Sequence, residues 1–82
     1  MINVQFFALF RELLNCDQLE LNSEDLHTVA DVSAQLTNHF AEWSSLSQKY
    51  QVLIAVNQTM ADETTKVNAG DEIAFFPPVT GG

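Results

Sequence analysis

Two glycines at the end of the sequence, Gly81 and Gly82, follow the run Phe75-Phe76-Pro77-Pro78-Val79-Thr80. Glycine has no side chain and takes any backbone angle, so the pair can thread a narrow channel. Pro77 and Pro78 restrict their own φ and push the residue before each toward an extended conformation, which stiffens the approach to the tip. The six residues from Pro77 to Gly82 reach roughly 20 Å when extended. The chemistry this arm offers is that of the Gly82 α-carboxylate. A carboxylate is unreactive as it stands and needs activation, typically to an acyl-adenylate made by another protein from ATP. Once activated, it can accept sulfur or be passed to an amine. A passive, frayed end is the ordinary alternative. The Phe-Phe-Pro-Pro segment argues against it, because disordered tails are poor in aromatic residues.

Side chains elsewhere offer less. Cys16 has no base beside it, and the neighbouring Asp17 disfavours a thiolate. His27 and His39 stand twelve residues apart with no cysteine or carboxylate at ligand spacing, so no metal site is expected. No glycine-rich loop follows a strand to hold phosphate, and no bound cofactor is expected. The net charge is −8, with Arg11, Lys49 and Lys66 the only strong cations. That balance argues against nucleic acid and anionic membranes and favours a partner with a basic surface. A single cysteine excludes an internal disulfide. Asn3 and Gln5 interrupt the first apolar run, so no signal peptide is expected, and Val52–Val56 is too short to cross a bilayer. A reducing cytoplasm is the expected compartment.

The elements that must hold the arm follow from hydrophobic periodicity. Ile2, Val4 and Phe6 alternate with Asn3 and Gln5, the period of a half-buried strand. Phe7 then falls on the polar face, out of pattern, and suggests a contact surface. Phe10–Leu14 allows one or two helical turns, and Asn15 is the expected left-handed residue of the turn after it. Gln18–Asn22 alternates again and should pair with the first strand. Thr28 predicts a helix N-cap, with Asp31 favourably placed near the positive helix end. Val29, Val32, Leu36, Phe40 and Trp43 form one apolar stripe, predicting a helix of about four turns that Ser44 and Ser45 end. Val52–Val56 is apolar on both faces and reads as a central strand. Asn57-Gln58 is a turn. Asn68–Asp71 is another, with Gly70 free for positive φ. Glu72–Phe76 is the last strand, stopped by Pro77, with Ile73 and Phe75 on one face and Phe76 on the other. The order expected is β-β-α-β-β: an α+β domain over residues 1–76, and an extended tail over 77–82.

The C-terminal third resembles the small subunit of molybdopterin synthase, the MoaD-type sulfur carriers of the MoaD/ThiS family. The residues that carry the resemblance are Ala55-Val56-Asn57-Gln58 and Gly70-Asp71-Glu72-Ile73-Ala74-Phe75-Phe76-Pro77-Pro78-Val79-Thr80-Gly81-Gly82. Val4-Gln5-Phe6-Phe7-Ala8 and Arg11-Glu12-Leu13 resemble the family's first strand and turn. Asn15-Cys16 stands where many members carry a glycine, a change that asparagine's tolerance of the left-handed region accommodates. The resemblance implies a ubiquitin-like β-grasp: a mixed sheet with one main amphipathic helix packed on one face.

It also implies a mechanism. A ubiquitin-activating-like adenylyltransferase would use ATP to adenylate Gly82, and a sulfurtransferase would supply sulfur for a thiocarboxylate. The tail, Pro77, Pro78, Val79, Thr80 and Gly81, would insert into the large synthase subunit of a heterotetramer. Sulfur would there pass to cyclic pyranopterin monophosphate in molybdenum cofactor biosynthesis. This chain would be the non-catalytic sulfur donor, with the catalytic side chains on the large subunit. Phe7, Met60 and Phe76 are the candidates for partner docking, against ordinary packing as the rival reading. Alternative functions are sulfur carriage for thiamine or tRNA thiolation, and a ubiquitin-like modifier joined to lysines.

Overall fold

The computed structural model describes residues 1–78; Val79, Thr80, Gly81 and Gly82 lie outside the described residues. Five strands form one mixed sheet in the order β2-β1-β5-β3-β4. β1 (Ile2–Phe6) pairs antiparallel with β2 (Gln18–Leu21) and parallel with β5 (Glu72–Phe76). β5 pairs on its other side, antiparallel, with β3 (Leu53–Val56), which pairs with β4 (Thr59–Ala61). The strand that leads into the tail is therefore the middle of the sheet.

The alternation in β1 holds: Ile2, Val4 and Phe6 are buried, while Asn3 and Gln5 are not. Ile73 and Phe75 are buried from β5 in the same way. The inner strand residues meet Phe10 and Leu14 of α1 (Ala8–Leu14), Val29, Val32 and Leu36 of α2 (Val29–His39), and Trp43 of α3 (Trp43–Lys49) in one core. Aromatic rings fill its centre. Phe6 stacks on Phe75 at 6.1 Å, and Trp43 stands edge-on to Phe75 at 5.2 Å and to Phe6 at 5.7 Å. Such pairs add about 0.5–1.5 kcal/mol each beyond the area they bury.

The local signals work as read. Thr28 and Asp31 form a complete capping box: Thr28 Oγ1 accepts the Asp31 N–H, and the Asp31 carboxylate accepts the Thr28 N–H at 3.1 Å. Asn15 closes α1 at φ 52°, ψ 43°. Asn57 and Gln58 both take positive φ, 50° and 69°, the requirement of a two-residue hairpin turn whose twist matches its strands. Gly70 sits at φ 91°. Ala8, unexpectedly, also takes φ 52°, a left-handed conformation at the entry to α1 that strains a residue with a Cβ.

Two expectations are corrected. The apolar stripe from Val29 to Trp43 is not one four-turn helix. α2 stops at Phe40, whose backbone is extended at φ −129°, and α3 starts at Trp43, so Ser44 and Ser45 lie inside a helix rather than ending one. The Trp43 indole N–H donates to Ser33 Oγ at 3.0 Å. In an unbroken helix those ten residues would separate them by about 15 Å, so the bond requires the chain to fold back. The fold-back satisfies a buried donor and seats the indole on Phe6 and Phe75. The second correction is a fifth strand, β4. Its three residues are exposed or half-buried, and no alternating apolar pattern announces them. α2 is the main amphipathic helix, and the shorter α1 and α3 accompany it.

Candidate functional site: an open sheet face at the root of the tail

Helices cover one face of the sheet. The other face is composed by strand parity and register. Phe6 pairs with Phe75 across β1 and β5, and the Phe7 N–H donates to the Phe75 carbonyl at 3.2 Å. Phe7 and Phe76 thus continue the same ladder one residue on, pointing away from the core. Leu53 is the Cα partner of Phe76 across β3. Phe7, Phe76 and Leu53 form one transverse row. The next row up the sheet is Gln18, Gln5, Ala74, Ala55 and Met60, each the partner of the one before.

Apart from Gln18 and Gln5, these two rows make an apolar surface on the open face. Phe7 is 43% exposed and Met60 61%, large values for residues that ordinarily bury. Phe76 and Leu53 are half-buried. None of the four belongs to the core or packs against it. The three sequence-predicted docking residues therefore share a face. Phe7 and Phe76 are adjacent, and Met60 lies two strands from Phe76. Leu53, Ala55 and Ala74 complete the surface. Sequence reasoning did not name them, although the run Val52–Val56, apolar at both parities, carried the signal: Ile54 and Val56 serve the core, which leaves Leu53 and Ala55 for the open side.

The tail leaves from this surface. Phe76 ends β5, and Pro77 and Pro78 follow it, both half-buried. The remaining predicted tail residues, Val79, Thr80, Gly81 and Gly82, lie outside the described residues.

Farther up the same face the surface turns polar and acidic. Asn3 of β1 is the Cα partner of Glu20 on β2 and of Glu72 on β5. Gln5 Nε2 donates to Glu72 Oε2 at 3.0 Å. Asn57 clamps the far edge: its Nδ2 donates to Asp71 Oδ1, and its Oδ1 accepts the Glu72 N–H, both at 3.0 Å.

The other chemically capable groups have structural employment. Cys16 Sγ donates to the Gln18 carbonyl at 3.2 Å. Asp31 is held below the usual carboxylate range by the backbone N–H groups of His27 and Thr28, and Asp62 by the Thr64 hydroxyl and N–H. Both are turn or cap carboxylates. A cleft of about 640 Å³ opens on the helical side between α3 and the β3–β4 edge, with Trp43, Tyr50 and Phe75 among its lining. It gathers no set of nucleophile, base and orienting group. No group of three or more His, Cys, Asp or Glu able to hold a metal occurs among the described residues. No helix among them is long and apolar enough to cross a membrane.

The chain is 44% identical over 82 residues to the molybdopterin synthase sulfur carrier subunit of Haemophilus influenzae, with the whole of both chains covered. It superposes with a TM-score of 0.80 on a putative molybdopterin converting factor subunit 1 from Pyrococcus furiosus, at 25% identity over 95% of this chain and 97% of that one. It also superposes, with a TM-score of 0.69 at 24% identity, on a protein solved as a complex of subunits 1 and 2 of the Helicobacter pylori molybdopterin-converting factor. That match covers 99% of this chain and 97% of the neighbour. The architecture is a ubiquitin-like β-grasp. Residues 4–82 match the ThiS family, and the chain belongs to that family, alongside the molybdopterin synthase sulfur carrier subunits.

Proposed function

We propose that this chain is the sulfur carrier subunit of a molybdopterin synthase. The observation that carries the reading is the continuity of the middle strand β5 with the Pro77-Pro78 arm, beside the exposed row Phe7, Phe76 and Leu53. A carrier needs a reactive end on a slim arm and a surface that places that arm in another protein's active site. The open face supplies the surface and the sequence after Phe76 supplies the arm.

In this reading the Gly82 carboxylate attacks the α-phosphorus of ATP on an adenylyltransferase and releases pyrophosphate. Sulfur delivered by a sulfurtransferase then bonds to the carbonyl carbon, and AMP leaves. The resulting thiocarboxylate enters the large synthase subunit on the Val79–Gly81 segment. There its sulfur passes to cyclic pyranopterin monophosphate and the carboxylate is regenerated with oxygen from water. Two such transfers complete the dithiolene. Phe7, Met60 and Phe76 dock the domain, and the large subunit supplies the catalytic side chains. The assembly would hold two small and two large subunits in the cytoplasm.

Reconstitution tests this directly. Thiocarboxylated protein, the large subunit and the cyclic pterin precursor should yield molybdopterin, with the carrier losing one sulfur-for-oxygen mass difference per transfer. No product from those three components would refute the reading. Recovery of the chain joined to lysines instead would favour a modifier.

A further inference from the structure

The geometry points to Pro77 as a positioning residue for the docking face: because it has no backbone N–H, it leaves the Phe7 carbonyl to α1 and so fixes the Phe7 ring beside the root of the tail. The inference rests on the docking reading above and deepens it.

In a parallel pair the rungs are evenly spaced: a residue that donates to one neighbour accepts from the residue two further along that strand. The β1–β5 ladder keeps this spacing. The Asn3 N–H donates to the Asp71 carbonyl at 3.0 Å, and the Phe7 N–H to the Phe75 carbonyl at 3.2 Å. The next rung would run from the N–H of residue 77 to the Phe7 carbonyl. Residue 77 is proline and has no N–H. The Phe7 carbonyl accepts the Phe10 N–H instead, at 3.2 Å. Phe7 is itself extended, at φ −124° and ψ 155°, so its backbone is still strand while its carbonyl already opens α1.

The change of direction falls on Ala8, at φ 52°. The other non-glycine residues at positive φ sit where a turn requires it: Asn15 closes α1, and Asn57 and Gln58 make the hairpin between β3 and β4. Ala8 is exposed and is held there by its surroundings, the condition under which such strain persists. Phe6, stacked on Phe75, anchors the chain before the turn, and Phe10, fully buried and edge-on to Trp43 at 5.8 Å, anchors it after. The missing rung is a further constraint. With a donor at residue 77, β1 would extend through Phe7, and Ala8 would relax toward the negative φ that a Cβ favours. Without one, Phe7 stays tied to β5 through its N–H and to α1 through its carbonyl, with its ring 43% exposed. A side chain on a backbone fixed at both ends loses less freedom when a partner covers it. Pro77 directly follows Phe76 and is half-buried, so one residue sets both where the arm leaves the sheet and how the neighbouring ring is held.

Titration of the full chain against the large synthase subunit from the same genome tests the inference. Pro77→Ala restores the N–H and should weaken binding about fivefold, the scale of immobilising one side chain on association, without lowering the melting temperature. Amide exchange should show the new N–H at position 77 protected and the Phe10 N–H less protected than in wild type. N-methylalanine at position 77, installed by chemical synthesis, again lacks the N–H and should restore binding to within about twofold of wild type. In the Phe7→Ala background, Pro77→Ala should cost less than about twofold more, because the ring it positions is gone. Pro77→Ala binding within twofold of wild type overturns the inference. So does an equal loss with N-methylalanine, an equal loss in the Phe7→Ala background, or a Phe10 N–H as protected as in wild type. A loss with Phe7→Ala but none with Pro77→Ala rejects it while leaving the docking reading intact. Failure of the wild-type chain to bind rejects both.

Discussion

Phe6 and Phe75 are register partners on parallel strands and stack with 6.1 Å between ring centroids and 25° between planes. Each is followed by a second phenylalanine, and strand parity sends that second ring to the opposite side. One pair of dipeptides thus closes the core on one face and opens a contact surface on the other.

Alanine at the inner and outer positions should separate these duties. Phe6→Ala and Phe75→Ala should each cost about 3–5 kcal/mol in denaturant unfolding, the range for deleting a buried aromatic ring. Phe7→Ala and Phe76→Ala should cost under about 1.5 kcal/mol, yet weaken binding to the large subunit at least tenfold. Outer variants that unfold the domain without specifically losing the partner would return Phe7 and Phe76 to ordinary packing.

Gly81→Val should leave the far-ultraviolet spectrum and melting temperature unchanged while sulfur loading or transfer falls at least a hundredfold. A β-branched side chain widens the arm and restricts its backbone. Intact mass of the chain after incubation with the activating enzyme, ATP and a sulfur source reads loading directly. A residue added after Gly82 should likewise abolish loading, because the proposed chemistry uses that carboxylate. Unimpaired transfer by Gly81→Val would remove any need for a narrow tip.

The capping box at the start of α2 has a definite pH signature. The His27 and Thr28 N–H groups stabilise the ionised Asp31 carboxylate, so its folded pKa lies below the model-peptide value of 3.8. The contribution is fully present above that value and is lost as pH falls through the lower folded pKa. Asp31→Asn should therefore melt below wild type at pH 7, with the gap closing under pH 3.8 as wild type protonates. Thr28→Ala should cost about 1 kcal/mol, as loss of an N-cap does. A gap for Asp31→Asn that stays constant from pH 7 to pH 2 would show that the carboxylate charge does not matter there.

Asn57 combines a left-handed backbone with two side-chain hydrogen bonds, and two substitutions can divide them. Asn57→Gly keeps the turn and loses the bonds to Asp71 and the Glu72 N–H, at about 1 kcal/mol. Asn57→Ala loses the bonds and adds the strain of φ 50°, about 1–2 kcal/mol more. Equal stability of the two variants would mean the positive φ carries no cost. Ala8→Gly provides the converse, raising stability by relieving φ 52° at the entry to α1.

Much of this was legible in the chain because the relevant signals are local. Period-two alternation found β1, β2 and β5, the Thr28–Asp31 spacing found the start of α2, and Asn15 and Gly70 were legible as left-handed positions, whereas Ala8 and Gln58 were not. Parity alone put Phe7 and Phe76 outside. The break at Phe40 was not legible, because its cause is a contact between Trp43 and Ser33 that exists only after the chain has folded back. β4 escaped for a related reason. Its three residues become a strand by pairing with β3, and nothing in Thr59-Met60-Ala61 demands it alone. The acidic row shows the same limit: Glu20, Asn3 and Glu72 lie far apart in sequence, and only the joint register of three strands assembles them.

Because β5 is hydrogen-bonded along both edges, to β1 and to β3, any tension on the residues after Phe76 loads two ladders lengthwise at once. Such a load must break many bonds together rather than unzip them one by one. Under the proposed insertion, a pull on the tail would be resisted in shear by both neighbouring strands.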